Sequence, residues 1–140
     1  MLFRSQMATV TTKIARQYRD LDLNFTAHPF TKDVSKTIDE MAVINSIKNL
    51  VLTAPYEKPF HPEIGSRVNY LLFENMDQVT SSVLQREIQQ VITNFEPRVR
   101  VNQISAIPDF DNNGYSISLE FLIINKTEPI TIEFFLERVR

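Results

Sequence analysis

The stretch that decides the fold is residues 80–98, which read TSSVLQREIQQVITNFEPR. Its apolar side chains recur every three or four positions, as expected for one buried face of an amphipathic helix. This stripe consists of Val83, Leu84, Ile88, Val91, Ile92 and Phe95, with Glu87 as a polar interruption. Pro97 cannot continue a helix and also pushes Glu96 out of the helical region. The helix therefore ends at a rigid bend between Glu96 and Arg98, which would make a rigid binding site for a partner protein.

Downstream of the bend, the apolar period changes to two, which predicts β-strands. The turn signal DNNG at residues 111–114 separates two of them, and the alternation from Tyr115 to Ile123 marks the clearest strand. A bulge near residues 102–103 would bring the apolar positions of the preceding strand onto one face. A second turn at residues 125–129 leads into a terminal strand. One face of that strand consists of Ile130, Ile132, Phe134 and Leu136.

The terminal strand is expected at an edge of the sheet, where backbone N–H and C=O groups are unpaired. Such an edge can accept a strand from another chain, with the main chain supplying affinity and alternate side chains setting the register. Charged side chains can instead blunt an edge against this pairing. Four of them lie here: Glu133, Glu137, Arg138 and Arg140. The sequence leaves both interpretations open.

The first half of the chain is expected to contribute a short strand, a helix and a stiff loop. Alternating apolar residues predict a strand at 20–25. Apolar residues at helical spacing predict a helix of about four turns that begins at Asp33 or Ser35 and runs to Val51. Residues 53–65 contain three prolines and end on a glycine, so they should form a rigid loop.

A short helix is expected at residues 66–74, and either Thr80 or Ser81 can cap the long helix that follows. Helices that precede a three-strand meander predict an α+β fold, with the helices packed on one face of a small antiparallel C-terminal sheet. We expect one domain over residues 20–140 and an N-terminal extension over residues 1–19. The extension fits a disordered leader or a start at Met7 rather than Met1.

Composition argues against several classes of protein. A length of 140 residues suits one domain with its own core, and the formal net charge of −2 provides no cationic field for nucleic acid. No apolar run approaches the ~20 residues of a membrane span, and no apolar segment of signal-peptide length follows Met1. The chain has no cysteine, which excludes disulfides and thiolate metal sites. His28 and His61 lack partners at metal-ligand spacing, so no metal or other cofactor is expected.

Three motifs together carry a family resemblance. They read KPFHPEIG at residues 58–65, LFENM at 72–76 and EPR at 96–98. In this order and at this spacing they resemble the sheath-initiator family of small baseplate wedge proteins. That family occurs in contractile-tailed phages and has relatives in type VI secretion baseplates, and the LFENM motif resembles the T4-type phages in particular. The resemblance covers the chain from about Asp20 to the C-terminus.

The resemblance implies a structural, non-enzymatic subunit of the virion tail baseplate that assembles in the host cytoplasm. It implies that Glu96, Pro97 and Arg98 dock on a helix bundle of the larger wedge subunits. It also implies that the C-terminal sheet is a template for the tail sheath, with Ile130, Ile132, Phe134 and Leu136 on the exchanging strand and six copies in each baseplate. The tail tube is a further candidate partner. Without the resemblance, Glu96 and Arg98 would be interpreted as two solvated charges at a helix stop.

The loop motif has two interpretations. Pro59, Phe60, Pro62 and Gly65 would form a structural loop in which Phe60 covers the core and Gly65 supplies a positive φ angle before the next helix. Alternatively, the loop contacts the wedge or the tube directly, because a stiff loop loses little entropy on binding.

Two other functions stay open. A lysozyme-like glycoside hydrolase would need two carboxylates about 5–10 Å apart, one of them with a raised pKa. Glu74 with Asp77, or Glu63 with Glu74, could be proposed for that role, but no cleft motif singles them out. The other alternative is a generic α+β adaptor unrelated to tails, which the fold alone does not exclude. No phosphate-binding glycine loop or nucleophile elbow is present.

Overall fold

The computed structural model describes residues 19–21, 27, 29–30 and 36–138. Within them the chain forms two short strands, β1 (Arg19–Leu21) and β2 (Lys36–Ile38), and three helices, α1 (Glu40–Leu52), α2 (Val68–Leu71) and α3 (Gln78–Phe95). Three longer strands follow, β3 (Val99–Asp109), β4 (Gly114–Ile123) and β5 (Pro129–Glu137). The predicted α+β fold is therefore confirmed.

The long strands form an antiparallel sheet in the order β3-β4-β5. Its register shifts between Val101 and Gln103, where we expected a bulge. The turn between β3 and β4 lies at the DNNG motif, and Asn113 takes a φ of 52° there. The Asp109 carboxylate accepts hydrogen bonds from the backbone N–H groups of Asp111 and Asn112, each at 3.1 Å, which fixes this turn.

The helices cover one face of this sheet, with α3 packed against β3 and in contact with α1 and α2. Every second residue of β4 faces them and is buried: Tyr115, Ile117, Leu119, Phe121 and Ile123. From the helices, the core receives Val43, Ile47, Val51, Val68, Leu84, Ile88 and Ile92. Each of these elements has one apolar face, and packing the helices on the sheet removes both apolar faces from water.

The start of α1 differs from its prediction. A helix beginning at Asp33 or Ser35 is wrong, because residues 36–38 form β2, which pairs antiparallel with β1. The chain turns at Asp39, with a φ of 55°, and α1 begins at Glu40. β1 confirms the start of the strand expected at 20–25, whereas residues 22–26 lie outside the described part of the chain.

The cap of α3 also differs. Asp77, rather than Thr80 or Ser81, is the N-cap, and its carboxylate accepts a hydrogen bond of 2.6 Å from the Thr80 backbone N–H. Thr80 and Ser81 instead lie buried in the first turn. The Asp77 carboxylate satisfies one of the backbone N–H groups that have no partner within the helix at its start, so Asp77 caps the helix.

Candidate partner-binding site

The bend after α3 is a hydrogen-bonded turn. The Glu96 carbonyl accepts a hydrogen bond of 3.2 Å from the Val99 N–H, which encloses Pro97 and Arg98. The Arg98 carbonyl accepts one of 2.9 Å from the Ile124 N–H, which ties the bend to the end of β4. Because Pro97 has a fixed φ and the carbonyls on both sides of it are bonded, the bend has little freedom.

Glu96 is buried at this bend, with about 3% of its surface exposed. Its carboxylate accepts two hydrogen bonds from the Arg98 guanidinium, from Nε at 2.5 Å and from Nη2 at 2.6 Å. A third comes from the Ser46 hydroxyl on α1, at 2.5 Å from Oε2. Burial alone would raise the pKa of Glu96, but these hydrogen bonds and the Arg98 charge outweigh it and lower the pKa.

The interpretation of Glu96 as a solvated charge is therefore wrong. It arose because an isolated Glu-Pro-Arg gives no sign of what packs over it. Pro97 is exposed, and the Arg98 side chain keeps about 26% of its surface exposed. Of the predicted tripeptide, Pro97 and part of Arg98 are accessible to another molecule, whereas Glu96 faces the domain.

Sequence reasoning missed Ser46. A signal was present, because Ser46 lies three residues after Val43 and four before Leu50, on the apolar face of α1. A hydroxyl on such a face needs a partner. That partner is Glu96, which lies 50 positions away in the sequence.

An open groove of about 480 Å³ lies beside the bend, between α3 and the start of β3. Its walls are the side chains of Gln89, Thr93, Val99, Arg100, Val101, Leu122 and Ile124. Most of these side chains are neutral, and Arg100 is exposed. Val99 directly follows Arg98 in the chain, so one wall of this groove begins next to the bend.

The proline-rich loop is closed at its base. The Ser66 N–H donates to the Thr53 carbonyl at 2.8 Å, and the Tyr56 N–H donates to the Pro62 carbonyl at 3.0 Å. Gly65 takes a φ of 156°, as expected, and a Cβ there would lie 2.7 Å from backbone atoms of Ala54. This position therefore requires glycine.

Phe60 does not cover the core, so that part of the loop prediction is wrong. Its side chain is about 96% exposed at the loop tip, and Pro59 and Pro62 are exposed as well. The loop is packed by its own hydrogen bonds and by the buried Ser66, whose hydroxyl donates to the Val51 carbonyl. A core contact from the tip is not needed.

β5 lies at one edge of the three-stranded sheet, as expected. Ile132 and Leu136 are buried, and Ile130 and Phe134 are partly buried against the same core. Glu133 and Glu137 are exposed, and Arg140 lies outside the described residues. The apolar face of β5 therefore belongs to the core of the domain, and among the described residues its outer backbone edge pairs with no further strand.

Two of the three candidate hydrolase carboxylates, Asp77 and Glu63, are engaged in local hydrogen bonds. The pKa of Asp77 is lowered by the hydrogen bonds from Thr80 at the helix cap. The pKa of Glu63 is lowered by its own backbone N–H and by His61, whose Nδ1 lies 3.2 Å from the carboxylate. A general acid needs a raised pKa, so neither residue suits that role. In the described part of the chain, no cluster of acidic or histidine side chains could hold a metal ion.

The fold places the chain in a known structural class. It matches a Geobacter sulfurreducens protein described as a candidate tail lysozyme, with 18% identity, a TM-score of 0.67 and coverage of 72% of this chain and 92% of that one. A pyocin R2 baseplate chain matches with 14% identity and a TM-score of 0.60, covering 76% and 99%. An anti-feeding prophage baseplate chain matches with 18% identity and a TM-score of 0.62, covering 89% and 88%. At these identities the likeness shows the shared fold.

Sequence comparison gives the family. The family model for baseplate wedge protein gp25 matches residues 39–127 of the 140-residue chain. The baseplate wedge protein gp25 of Enterobacteria phage T4 is 29% identical over 117 residues, which cover 84% of this chain and 88% of the T4 protein. The chain belongs to the baseplate wedge protein gp25 family, and its place is the tail baseplate of a contractile-tail particle. No described helix is long and apolar enough to cross a membrane.

Proposed function

We propose that this chain is a non-enzymatic structural subunit that binds the larger baseplate wedge subunits through its bend and starts tail sheath assembly at its β5 edge. The observation that carries the wedge part is the geometry of the bend. A fixed φ at Pro97 and a bidentate ion pair hold the exposed Pro97 and the partly exposed Arg98 in one arrangement. A group that is already ordered loses little entropy when a partner binds.

The sheath part rests on the position of β5. It is an edge strand of the described sheet and has a core-facing apolar side, which is the arrangement that strand addition uses. Six copies in each baseplate would then provide six starting edges for a first sheath ring. Support for that number comes from the anti-feeding prophage baseplate, which was described with sixfold symmetry.

The proline-rich loop is the place where we propose a contact with the tail tube or the wedge. Phe60 at its tip and Tyr56 nearer its base are both exposed, at positive φ angles of 68° and 69°. Non-glycine residues with such angles are held there by the surrounding structure. The loop therefore displays its aromatic side chains without needing to reorganise.

The wedge proposal is tested by substituting two arginines. Arg98→Ala removes the guanidinium at the bend, whereas Arg86→Ala removes an exposed guanidinium in the middle of α3, away from the bend, and serves as the matched control. We expect Arg98→Ala to weaken capture by purified larger wedge subunits of the same tail by at least about tenfold, as for an arginine hot spot. Arg86→Ala should stay within about twofold. Equal capture of both variants and the wild type would remove the bend from the interface.

A glycoside hydrolase is the other function to test, because one protein of the same fold is described as a candidate tail lysozyme. We expect no hydrolysis of purified peptidoglycan across the pH range and no change with Glu74→Gln. Turnover by the wild-type protein that disappears with a single carboxylate substitution would establish catalysis.

A further inference from the structure

The Glu96 carboxylate has no accessible surface to offer a partner. About 3% of the residue is exposed, and both carboxylate oxygens already accept hydrogen bonds. Two of the three donors belong to the Arg98 guanidinium, and the third belongs to Ser46 on a different helix. A partner that docks at the bend therefore meets Arg98 and Pro97, whereas Glu96 lies behind them.

The three side chains form a chain of contacts from α1 to the bend. The Ser46 hydroxyl donates a hydrogen bond to Oε2 of Glu96, and the same oxygen accepts one from Nη2 of Arg98. Oε1 of Glu96 accepts a hydrogen bond from Nε of Arg98. A carboxylate that accepts three hydrogen bonds cannot rotate freely. A planar guanidinium bound to it through two parallel hydrogen bonds cannot rotate freely either. A residue outside the tripeptide, Ser46, thus holds the carboxylate that orients Arg98.

We propose that Ser46 and Glu96 are positioning residues, which hold the Arg98 guanidinium in its binding orientation without contacting the partner themselves. This inference rests on the proposed wedge-binding function of the bend and assigns the roles within it. Arginine has many side-chain rotamers, and fixing it before binding removes an entropic cost from association. Because a guanidinium has donors and no acceptor, the partner group it meets must be an oxygen acceptor, such as a carboxylate or a backbone carbonyl.

The first measurement uses the free protein and needs no partner. Nuclear magnetic resonance of the Arg98 Nε–H reports how firmly that group is hydrogen-bonded, through its chemical shift and its exchange with water. We expect slow exchange in the wild type and at least about fivefold faster exchange in Ser46→Ala. Ser82→Ala is the matched control, because Ser82 is exposed on α3 and its hydroxyl donates to the Gln78 carbonyl. It should leave the Arg98 signal unchanged.

The second measurement is a double-mutant cycle in binding to the purified larger wedge subunits. Ser46→Ala should weaken binding about three- to tenfold in the wild-type background and have no further effect in the Arg98→Ala background. A purely structural role for Ser46 would lower binding in both backgrounds. Thermal melting of each variant shows that it is folded at the assay temperature. Glu96→Gln keeps the shape of the side chain and its acceptor for Ser46 but removes the charge, and should behave like Ser46→Ala.

The outcomes separate the two proposals. Normal binding by Arg98→Ala would overturn wedge binding through the bend, and the positioning role with it. Weak binding by Arg98→Ala together with normal binding by folded Ser46→Ala would overturn the positioning role alone. An Arg98 Nε–H that exchanges equally fast in the wild type and in Ser46→Ala would overturn it as well, even before any partner is added.

Discussion

Glu96 brings a negative charge into the domain, and a buried carboxylate must be matched by donors or it destabilises the fold. Arg98 and Ser46 supply that match. The charge of Arg98 is paired with that of Glu96 in the same turn, so this pair contributes little net charge at the bend. At the proposed wedge site, specificity would then come from the shape of the bend and the direction of the guanidinium rather than from long-range attraction.

Glu96→Ala tests the structural side of this arrangement. It leaves Ser46 and Arg98 without their shared acceptor, and we expect a loss of about 2 kcal/mol in the free energy of unfolding. For a domain of this size that corresponds to a melting temperature roughly 5–8 °C lower. Glu74→Ala, at an exposed glutamate, should change the free energy of unfolding by less than about 0.5 kcal/mol. Equal melting curves for the two variants would contradict the burial of Glu96.

Gly65→Ala addresses the backbone of the proline-rich loop. A methyl group would lie 2.7 Å from the Ala54 carbonyl carbon, and a backbone atom cannot rotate away as a side chain can. We expect a loss of about 2–3 kcal/mol in denaturant unfolding. Phe60→Ala in the same loop should cost less than about 0.5 kcal/mol because the ring is exposed. The opposite ranking would place Phe60 rather than Gly65 in the structural role.

At single residues, the sequence predicts local conformation better than contacts. The need for Gly65 followed from the motif, because a positive φ is a local property. The burial of Glu96 could not be predicted, since it depends on Ser46, which lies 50 positions away. The exposure of Phe60 was missed for a related reason. An aromatic residue after a proline gives no sign of whether its ring points inward or outward.

The elements themselves followed from periodicity. The alternation in β4, the bulge in β3 and the stripe of α3 all depend on which face meets the core, and a sequence records that directly. The start of α1 did not follow, because residues 36–38 are recruited by pairing with β1, a partner that lies 15 or more positions earlier. Helical spacing continued through a segment whose conformation is set by tertiary contact.

Asp77 gives a pH-dependent prediction for the start of α3. Hydrogen bonds from Thr80 lower the pKa of Asp77 below its ordinary value of 3.8. A lowered folded-state pKa means that the cap stabilises the fold fully above the unfolded pKa, and that this stabilisation is lost as pH falls through the folded pKa. We expect Asp77→Ala to be less stable than the wild type in urea unfolding at pH 7, with a difference that shrinks toward pH 2. Asp77→Asn, which keeps an acceptor, should lose less at pH 7. A difference that grows in acid would contradict the cap.

The edge of β5 can be tested with proline at two adjacent positions. Successive N–H groups of a strand point alternately to the two sides, so one of Ile132 and Glu133 donates toward β4 and the other toward the open edge. Proline at the position whose N–H donates toward β4 should unfold the sheet. Proline at the position whose N–H points to the open edge should leave the protein folded, as measured by circular dichroism. We expect the folded variant to bind wedge subunits but to block sheath polymerisation on assembled baseplates. Normal extended sheaths in electron micrographs of that variant would rule out strand addition.

At the scale of the whole molecule, the two proposed surfaces lie on different parts of the sheet. The bend leads into β3 at one edge, and β5 forms the other edge with β4 between them. Two strand spacings separate these edges by about 10 Å, and β5 runs away from its start for about 30 Å. The core between them is closely packed and shared by α1, α3 and all three strands. The two proposed surfaces therefore share no residue, and most of β5 extends away from the bend.

This geometry predicts that the domain binds both partners at once and that each can be removed separately. Sheath subunits added to a preformed complex of this protein with the wedge subunits should give a ternary complex in size-exclusion chromatography. Arg98→Ala should weaken the wedge complex by at least about tenfold while the free protein still captures sheath subunits, and the folded proline variant of β5 should lose sheath capture while it still binds the wedge subunits. Because the surfaces share no residue, the affinity for one partner should change by less than about twofold when the other is bound. Displacement of the wedge subunits by the sheath protein would show that the surfaces overlap, and would leave the domain unable to link the baseplate to the first sheath ring.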